Sequence, residues 1–137
     1  MNPLIRRQSA TEATIARYDG KPFVWGTRDC ARVASWHIRQ LGVRTSILKG
    51  RSYTNALGAR RTLKALGFAG MADAVDSLGF IRIAPAAALI GDLVGLPGEG
   101  GDIALTVAVG NGRALGAMEG RWGVLQPHEY ETAWRVF

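Results

Sequence analysis

Apolar residues recur at helical spacing in the first half of this 137-residue chain and alternate with polar residues in the second half. The clearest helical stretch begins at Cys30 and ends before Gly42, and either Thr27 or Asp29 can cap its N-terminus. Its apolar positions are spaced i, i+3, i+4, i+7 and i+11, which is one stripe along a helix. They are Cys30, Val33, Ala34, His37 and Leu41.

Three further helices are predicted around this one. A capping box at residues 9–12, Ser-Ala-Thr-Glu, predicts a helix over residues 10–18 that the following Asp-Gly pair ends. A basic helix is predicted within residues 52–67, and a short helix over residues 70–79 closes with a glycine. The expected inner face of the basic helix consists of Ala56, Leu57, Leu63 and Leu66.

The second half of the chain predicts short strands separated by glycine-rich turns. An Asn-Gly pair at 111–112 is a strong hairpin signal. The glycine-rich residues 95–101 lack the ending of a phosphate-binding loop, so they predict a flexible hairpin loop. Helices followed by an antiparallel meander predict one α+β domain over residues 1–137, with N-terminal helices packed on a small C-terminal sheet. The predicted strands are 80–83, 91–96, 103–109, 113–118, 122–126 and 132–136.

Composition excludes several classes of protein. One cysteine excludes an intramolecular disulfide, and with two histidines neither a metal site nor a cofactor is expected. No apolar run approaches the roughly 20 residues of a membrane helix, and the N-terminus lacks the apolar core of a signal peptide. We therefore expect synthesis in the cytoplasm and no membrane insertion.

The net charge of +6 is unevenly distributed along the chain. Residues 1–64 carry thirteen basic and three acidic side chains, whereas the remainder carries four and eight. A basic half predicts an acidic partner, or it reflects an arginine-rich composition alone. No groove-reading or RNA-binding motif is present, so nucleic acid is not the expected partner. Arg60, Arg61 and Lys64 form either a solvated helix face or a docking surface.

Cys30 is the candidate nucleophile, because a helix N-terminus stabilises a thiolate relative to a thiol. A cysteine hydrolase also needs a base within hydrogen-bond reach of the sulfur. His37 lies on the same helix face but about 10 Å farther along the axis, so we expect a half-buried histidine that is hydrogen-bonded in the core. No local pattern brings His128 to Cys30. Asp29 and Asp92 are expected to be a cap and a turn former, not a catalytic pair.

Residues 23–42 resemble the active-site segment of the NlpC-type papain-like cell-wall peptidases, in which a Trp-Gly turn, an Asp-Cys pair and a helix recur. Gly-Asp-Leu-Val at 91–94 resembles the start of that family's first core strand, and residues 104–112 resemble its next strand. The resemblance implies a papain-like fold with Cys30 at the position of the nucleophile.

The chain departs from that family at the other catalytic positions. The resemblance places the family's histidine at Ala104 and its third polar residue near Leu115 or Gly116. None of these side chains can accept or orient a proton, so only Cys30 remains of the triad. Because losing a triad member costs several orders of magnitude in rate, the site is expected to be vestigial.

A second resemblance is to a family of short phage and prophage tail-region proteins. These share the Trp-Gly…Asp-Cys and Gly-Asp motifs, a glycine-rich strand pair and an Ala-Trp-Arg-hydrophobic ending, which stands here at 133–136. The resemblance implies a place in the virion, with tail hub, distal tail or tip proteins as partners and transient contact with peptidoglycan left open. Contacts are expected on the helical face and the glycine-rich loop, and Trp134 is the expected exposed anchor.

Three functions therefore remain as hypotheses. The first is a structural or assembly component of a phage tail tip, in the hub or baseplate region, with a degenerate and inactive cysteine-peptidase fold. The second is an active peptidoglycan hydrolase with Cys30 as nucleophile, whose base would come from His128, from a partner chain or from a rearrangement of this chain. The third is a basic nucleic-acid-binding module, which predicts salt-sensitive DNA binding.

Overall fold

The computed structural model describes residues 2–137, in which four helices precede six strands along the chain. The helices are α1 (Pro3–Tyr18), α2 (Cys30–Gln40), α3 (Ala56–Ala65) and α4 (Met71–Asp76). The strands are β1 (Ile81–Ile83), β2 (Leu93–Pro97), β3 (Ile103–Gly110), β4 (Arg113–Met118), β5 (Arg121–Leu125) and β6 (Thr132–Arg135). The mixture of helices with one antiparallel sheet confirms the predicted α+β class.

Helix α1 is longer than the capping box predicted. It begins at Pro3, and the Asn2 side chain caps it by accepting a hydrogen bond from the Leu4 amide at 2.8 Å. The Ser-Ala-Thr-Glu sequence therefore lies inside the helix, and the predicted start at residue 10 was wrong. The predicted end at Tyr18 is confirmed. No helix of residues 2–137 has both the length and the apolarity to cross a membrane.

Helix α2 has the predicted bounds, whereas α3 is shorter and less buried than predicted. Asn55 caps α3 through a hydrogen bond from the Gly58 amide, so the helix begins at Ala56. Of its predicted inner face only Leu63 is buried, and 51% of the Leu57 surface is exposed. Helix α3 therefore contacts the rest of the fold along a narrow line and leaves most of its basic surface free.

The six strands form one sheet in the order β1-β6-β2-β3-β4-β5. Strands β2 to β5 form the predicted meander, and the Asn-Gly signal marks the turn between β3 and β4. The complete sheet is not a meander, because β6 inserts between β1 and β2. The last strand is therefore an interior strand, hydrogen-bonded on both edges.

This position of β6 overturns the expectation for Trp134. Its side chain is 0% exposed, and its indole N–H donates to the Asp76 carboxylate at 2.9 Å. Trp134 belongs to the main core cluster, where α1 and α2 pack on one face of the sheet. The residue is a core side chain, so the prediction of an exposed interface anchor was wrong.

Asp92, at the entrance to β2, is a buried ionic centre. Its carboxylate is 0% exposed and accepts hydrogen bonds from Arg7 at 2.8 Å and from Arg135 at 3.0 Å. It also accepts bonds from the backbone amides of Leu89 and Val136. The predicted role of a turn former is therefore incomplete, because the same carboxylate ties α1 and β6 to the start of β2.

We expect Asp92→Asn to lower the free energy of unfolding by about 3–5 kcal/mol, because it leaves the buried Arg7 guanidinium without its charge partner. Asp76→Asn is the matched control, since the Asp76–Arg82 pair is 40–48% exposed and should contribute less than about 1 kcal/mol. The asparagine there can still accept the bond from Trp134. Urea unfolding measures both values, and equal losses would contradict the role assigned to Asp92.

Candidate functional site

Cys30 is the first residue of α2 and lies beside the turn that precedes the helix. Asp29 caps α2 by accepting a hydrogen bond from the Arg32 amide at 2.9 Å, which decides between the two predicted caps. The second Asp29 oxygen accepts from the Gly26 amide at 2.8 Å. Gly26 has φ +85°, and a Cβ there would collide with the Tyr53 carbonyl oxygen. The Trp-Gly…Asp-Cys motif is thus a local structural unit.

A loop formed by residues 43–55 packs over the start of α2. Arg32 donates to the carbonyl oxygens of Leu48 at 3.3 Å and Arg51 at 2.7 Å, and its guanidinium lies over the Tyr53 ring. Burial raises the pKa of the Tyr53 hydroxyl, and the Asp29 carboxylate beside it raises it further. Sequence reasoning missed Tyr53 and Arg32, because neither stands in a motif or in a helical stripe near Cys30.

The Cys30 thiol is held in its protonated form. Burial raises its pKa to about 11, and the charges of Asp29 and Asp102 act in the same direction. The backbone groups of Leu105 and Ala31 lower the pKa, but their effect is smaller than that of burial. The backbone at the helix N-terminus does favour the thiolate, as expected, but desolvation of the sulfur outweighs it and the net shift of the pKa is upward.

The strand positions where the resemblance expects catalytic partners carry no polar side chain. Leu105 is the residue of β3 whose backbone reaches Cys30. Ala104 precedes it, and strand alternation turns its methyl group to the side of the sheet opposite the Leu105 side chain. Leu115 is fully buried in the core, and Gly116 on β4 has no side chain. These positions of β3 and β4 therefore offer Cys30 only backbone and apolar groups.

His37 is a structural histidine. It is 0% exposed, its Nε2 lies 2.8 Å from the Gly91 carbonyl oxygen and its Nδ1 lies 2.8 Å from the Thr14 hydroxyl. Nε2 must donate to the carbonyl oxygen, which can only accept, and Nδ1 shares the Thr14 hydroxyl with the Ala10 carbonyl oxygen, 2.9 Å from that hydroxyl. Burial lowers the His37 pKa, and the nearby positive charge of Arg7 adds to this. The expected hydrogen bonding in the core is confirmed, but the expected half burial was wrong, because the side chain is completely buried between α1 and the start of β2.

His128 lies at the opposite end of β3 from Cys30. It is exposed in the loop between β5 and β6, where the side chains of Gln126 and Tyr130 both donate to the Gly112 carbonyl. Gly112 follows the far end of β3, and the five residue steps from Leu105 to Gly110 span about 17 Å. His128 is therefore not brought to the thiol within one chain. In residues 2–137, no three His, Cys, Asp or Glu side chains converge as metal ligands would.

The basic face of α3 and the glycine-rich segment, both expected to make partner contacts, line the same groove. Arg60, Arg61 and Lys64 line it from α3, and Gly100 and Gly101 line it from the loop, where Gly100 lies against the Arg60 guanidinium. The glycine-rich stretch is only partly a loop, because its first residues extend β2 as far as Pro97.

Asp29 and Asp92 serve separate hydrogen-bond networks, as expected for residues that are not a catalytic pair.

The chain belongs to a family described as a domain of unknown function, DUF6950, whose model matches residues 4–136. The match includes the helix that carries Cys30, the Asp92 centre and all six strands. No curated protein matches the chain. The family assignment thus covers the complete fold and leaves its activity to be inferred from the site.

We expect native Cys30 to react slowly with iodoacetamide at pH 7.5. A thiol of pKa about 11 has a thiolate fraction roughly 300-fold below that of a free thiol of pKa about 8.5. The greater nucleophilicity of the more basic thiolate restores about tenfold, so the net rate should be ~20–30-fold lower. The same protein unfolded in urea is the control. Equal rates in both states would show that folding does not suppress the thiol.

We also expect the free energy of unfolding to fall as the pH falls below about 6.5. His37 has a lowered pKa in the folded state, so below 6.5 the unfolded chain binds a proton that the native chain does not. The unfolding equilibrium constant should rise by up to tenfold per pH unit until the folded pKa is reached. Urea titrations at pH 7.5 to 5 measure this slope. His37→Gln is the control, and an equally steep slope in that variant would assign the effect to other groups.

Proposed function

We propose that this chain is a structural or assembly component of a phage tail tip, in the hub or baseplate region. In this proposal the fold is a degenerate papain-like fold of the NlpC type that no longer performs hydrolysis. The partners are tail hub, distal tail or tip proteins, and the protein is made in the host cytoplasm and resides in the virion. Contact with peptidoglycan, if it occurs, is binding without cleavage.

The observation that carries the proposal is a nucleophile position without a base. Cys30 begins α2 beside β3, which is how a papain-like site would be arranged, but Cys30 is half-buried and burial raises the pKa of its thiol to about 11. His37 is committed to Thr14 and Gly91, and His128 lies at the other end of β3. A thiol with no base to activate it and no acid to protonate the leaving group lacks the parts that hydrolysis requires.

The papain-like part of the proposal is supported by the order of the elements around Cys30. The cysteine helix packs on β3, the strand that pairs with β2 directly after the Gly-Asp-Leu-Val sequence at 91–94. The same order of motifs carries the resemblance to the NlpC-type peptidases. The tail-region part rests on the resemblance to the short phage proteins, including the ending at residues 133–136.

The test is deletion of the encoding gene from an inducible phage genome, followed by electron microscopy of the particles. We expect tailless capsids or tails with incomplete tips, and restoration by the wild-type gene. Complementation with Cys30→Ser should restore tails equally well, because the proposed role does not use the thiol. Intact, infectious particles from the deletion strain would overturn the assembly role.

Hydrolysis is tested separately, with purified protein and dye-labelled peptidoglycan. We expect no release above the level of Cys30→Ser at any pH from 6 to 9, since neither chain contains a base for residue 30. Release by the wild type that the Cys30→Ser variant loses would establish the alternative, a peptidoglycan hydrolase. The assay should be repeated with tail particles present, so that a base supplied by a partner chain is also detected.

A further inference from the structure

A groove with a volume of about 750 Å³ separates α3 from α4 and from the loop at residues 98–102. This volume lies in the range of sites that bind small molecules and short peptide segments. The groove lies on the surface and is lined in part by Asp102, whose charge also raises the pKa of Cys30. It contains none of the residues at the nucleophile position.

One face of α3 forms the wall of the groove that carries unpaired positive charge. Leu57, Arg60, Arg61 and Lys64 are spaced i, i+3, i+4 and i+7, so they form a single stripe on the helix. Within residues 2–137 the three cationic side chains have neither an ion pair nor a hydrogen bond. No acidic residue lies between Asp29 and Asp73 in the sequence, so no local carboxylate can neutralise them.

The carboxylates of the groove accept hydrogen bonds from groups within the fold. Asp76 accepts bonds from Arg82 and from the Trp134 indole. Asp102 accepts from the Met71 and Ile103 amides, and one oxygen of Asp73 accepts from the Ala69 amide. The groove therefore combines free cations on α3 with carboxylates that are bound into the scaffold.

The Arg60 side chain lies against the glycine-rich loop. A Cβ at Gly100 would collide with the Arg60 Nη1, so the guanidinium lies directly against the loop backbone. Gly100 also has φ +66°, a conformation that favours glycine. The absence of a side chain at Gly100 thus leaves room for the Arg60 guanidinium. Arg61 and Lys64, on the same face of α3, are exposed.

We propose that this groove binds an acidic peptide segment of a partner protein. Carboxylates of the peptide would pair with Arg61 and Lys64, and its aliphatic side chains would pack on Leu57, of which half is exposed. The free oxygen of Asp73 can accept a peptide N–H. The assembly role proposed above supplies only the owner of the peptide, so the groove can be tested without it.

Nucleic acid fits the same groove less well. An acidic peptide can place neutral residues beside Asp73, Asp76 and Asp102, whereas a polyphosphate backbone carries a negative charge past them at every nucleotide. Binding of single strands also depends on aromatic side chains that stack on bases, and none lines the groove. The mixed charge of the two walls suits a peptide, which offers both carboxylates and N–H donors.

The experiment is fluorescence anisotropy with a labelled peptide of alternating glutamate and leucine, at one fixed ionic strength. The test variant is Arg61→Glu with Lys64→Glu, and we expect it to bind about tenfold more weakly than the wild type. The matched control is Arg39→Glu with Arg113→Glu, two exposed cations outside the groove, which lowers the net charge equally. Thermal unfolding verifies that both variants fold.

Three outcomes would overturn the proposal. They are no binding of the peptide to the wild type, an equal loss in both double variants, and binding of a charge-matched oligothymidylate with the same dependence on Arg61 and Lys64. The second would indicate attraction by net charge alone, and the third a nucleic-acid groove. Because this assay contains no tail proteins, its failure leaves the deletion experiment independent, and a failed deletion experiment leaves the binding result standing.

Discussion

The buried carboxylate of Asp92 holds three segments of the fold together through ion pairs and hydrogen bonds. A carboxylate with no access to water must be paired and hydrogen-bonded, and here the donors come from α1, β6 and the loop before β2. Arg7 extends the network by donating to the carbonyl oxygens of Ile90 and Phe137. One charge thus joins segments that are 85 residues apart in the chain and fixes the interior position of β6.

Gly91, the neighbour of Asp92, helps to position the helix that carries Cys30. The Gly91 carbonyl, next to Asp92, is a partner of His37 in α2, and His37 in turn contacts Thr14 of α1. At the other end of α2, Asp29 holds both the helix start and the Gly26 turn. The residues of the Trp-Gly…Asp-Cys and Gly-Asp motifs therefore have structural tasks in this fold.

The uneven charge of the chain becomes a property of one surface in the folded protein. The basic first half contributes the α3 wall of the groove, and the acidic second half contributes Asp73, Asp76 and Asp102 on the other side. These carboxylates stabilise Arg82, Trp134 and backbone amides, not the α3 cations. The positive charge of α3 thus remains available to a ligand.

Features that depend on neighbours within about ten residues follow from the local sequence. The extent of α2, a cap at either Thr27 or Asp29 and the hairpin at Asn111 could be predicted, because periodicity, capping and turn chemistry are local. Only the tertiary structure decided that β6 is an interior strand, that Trp134 is buried and that Leu57 faces a groove. These depend on pairing and burial between distant segments, as does the desolvation that keeps the Cys30 thiol protonated.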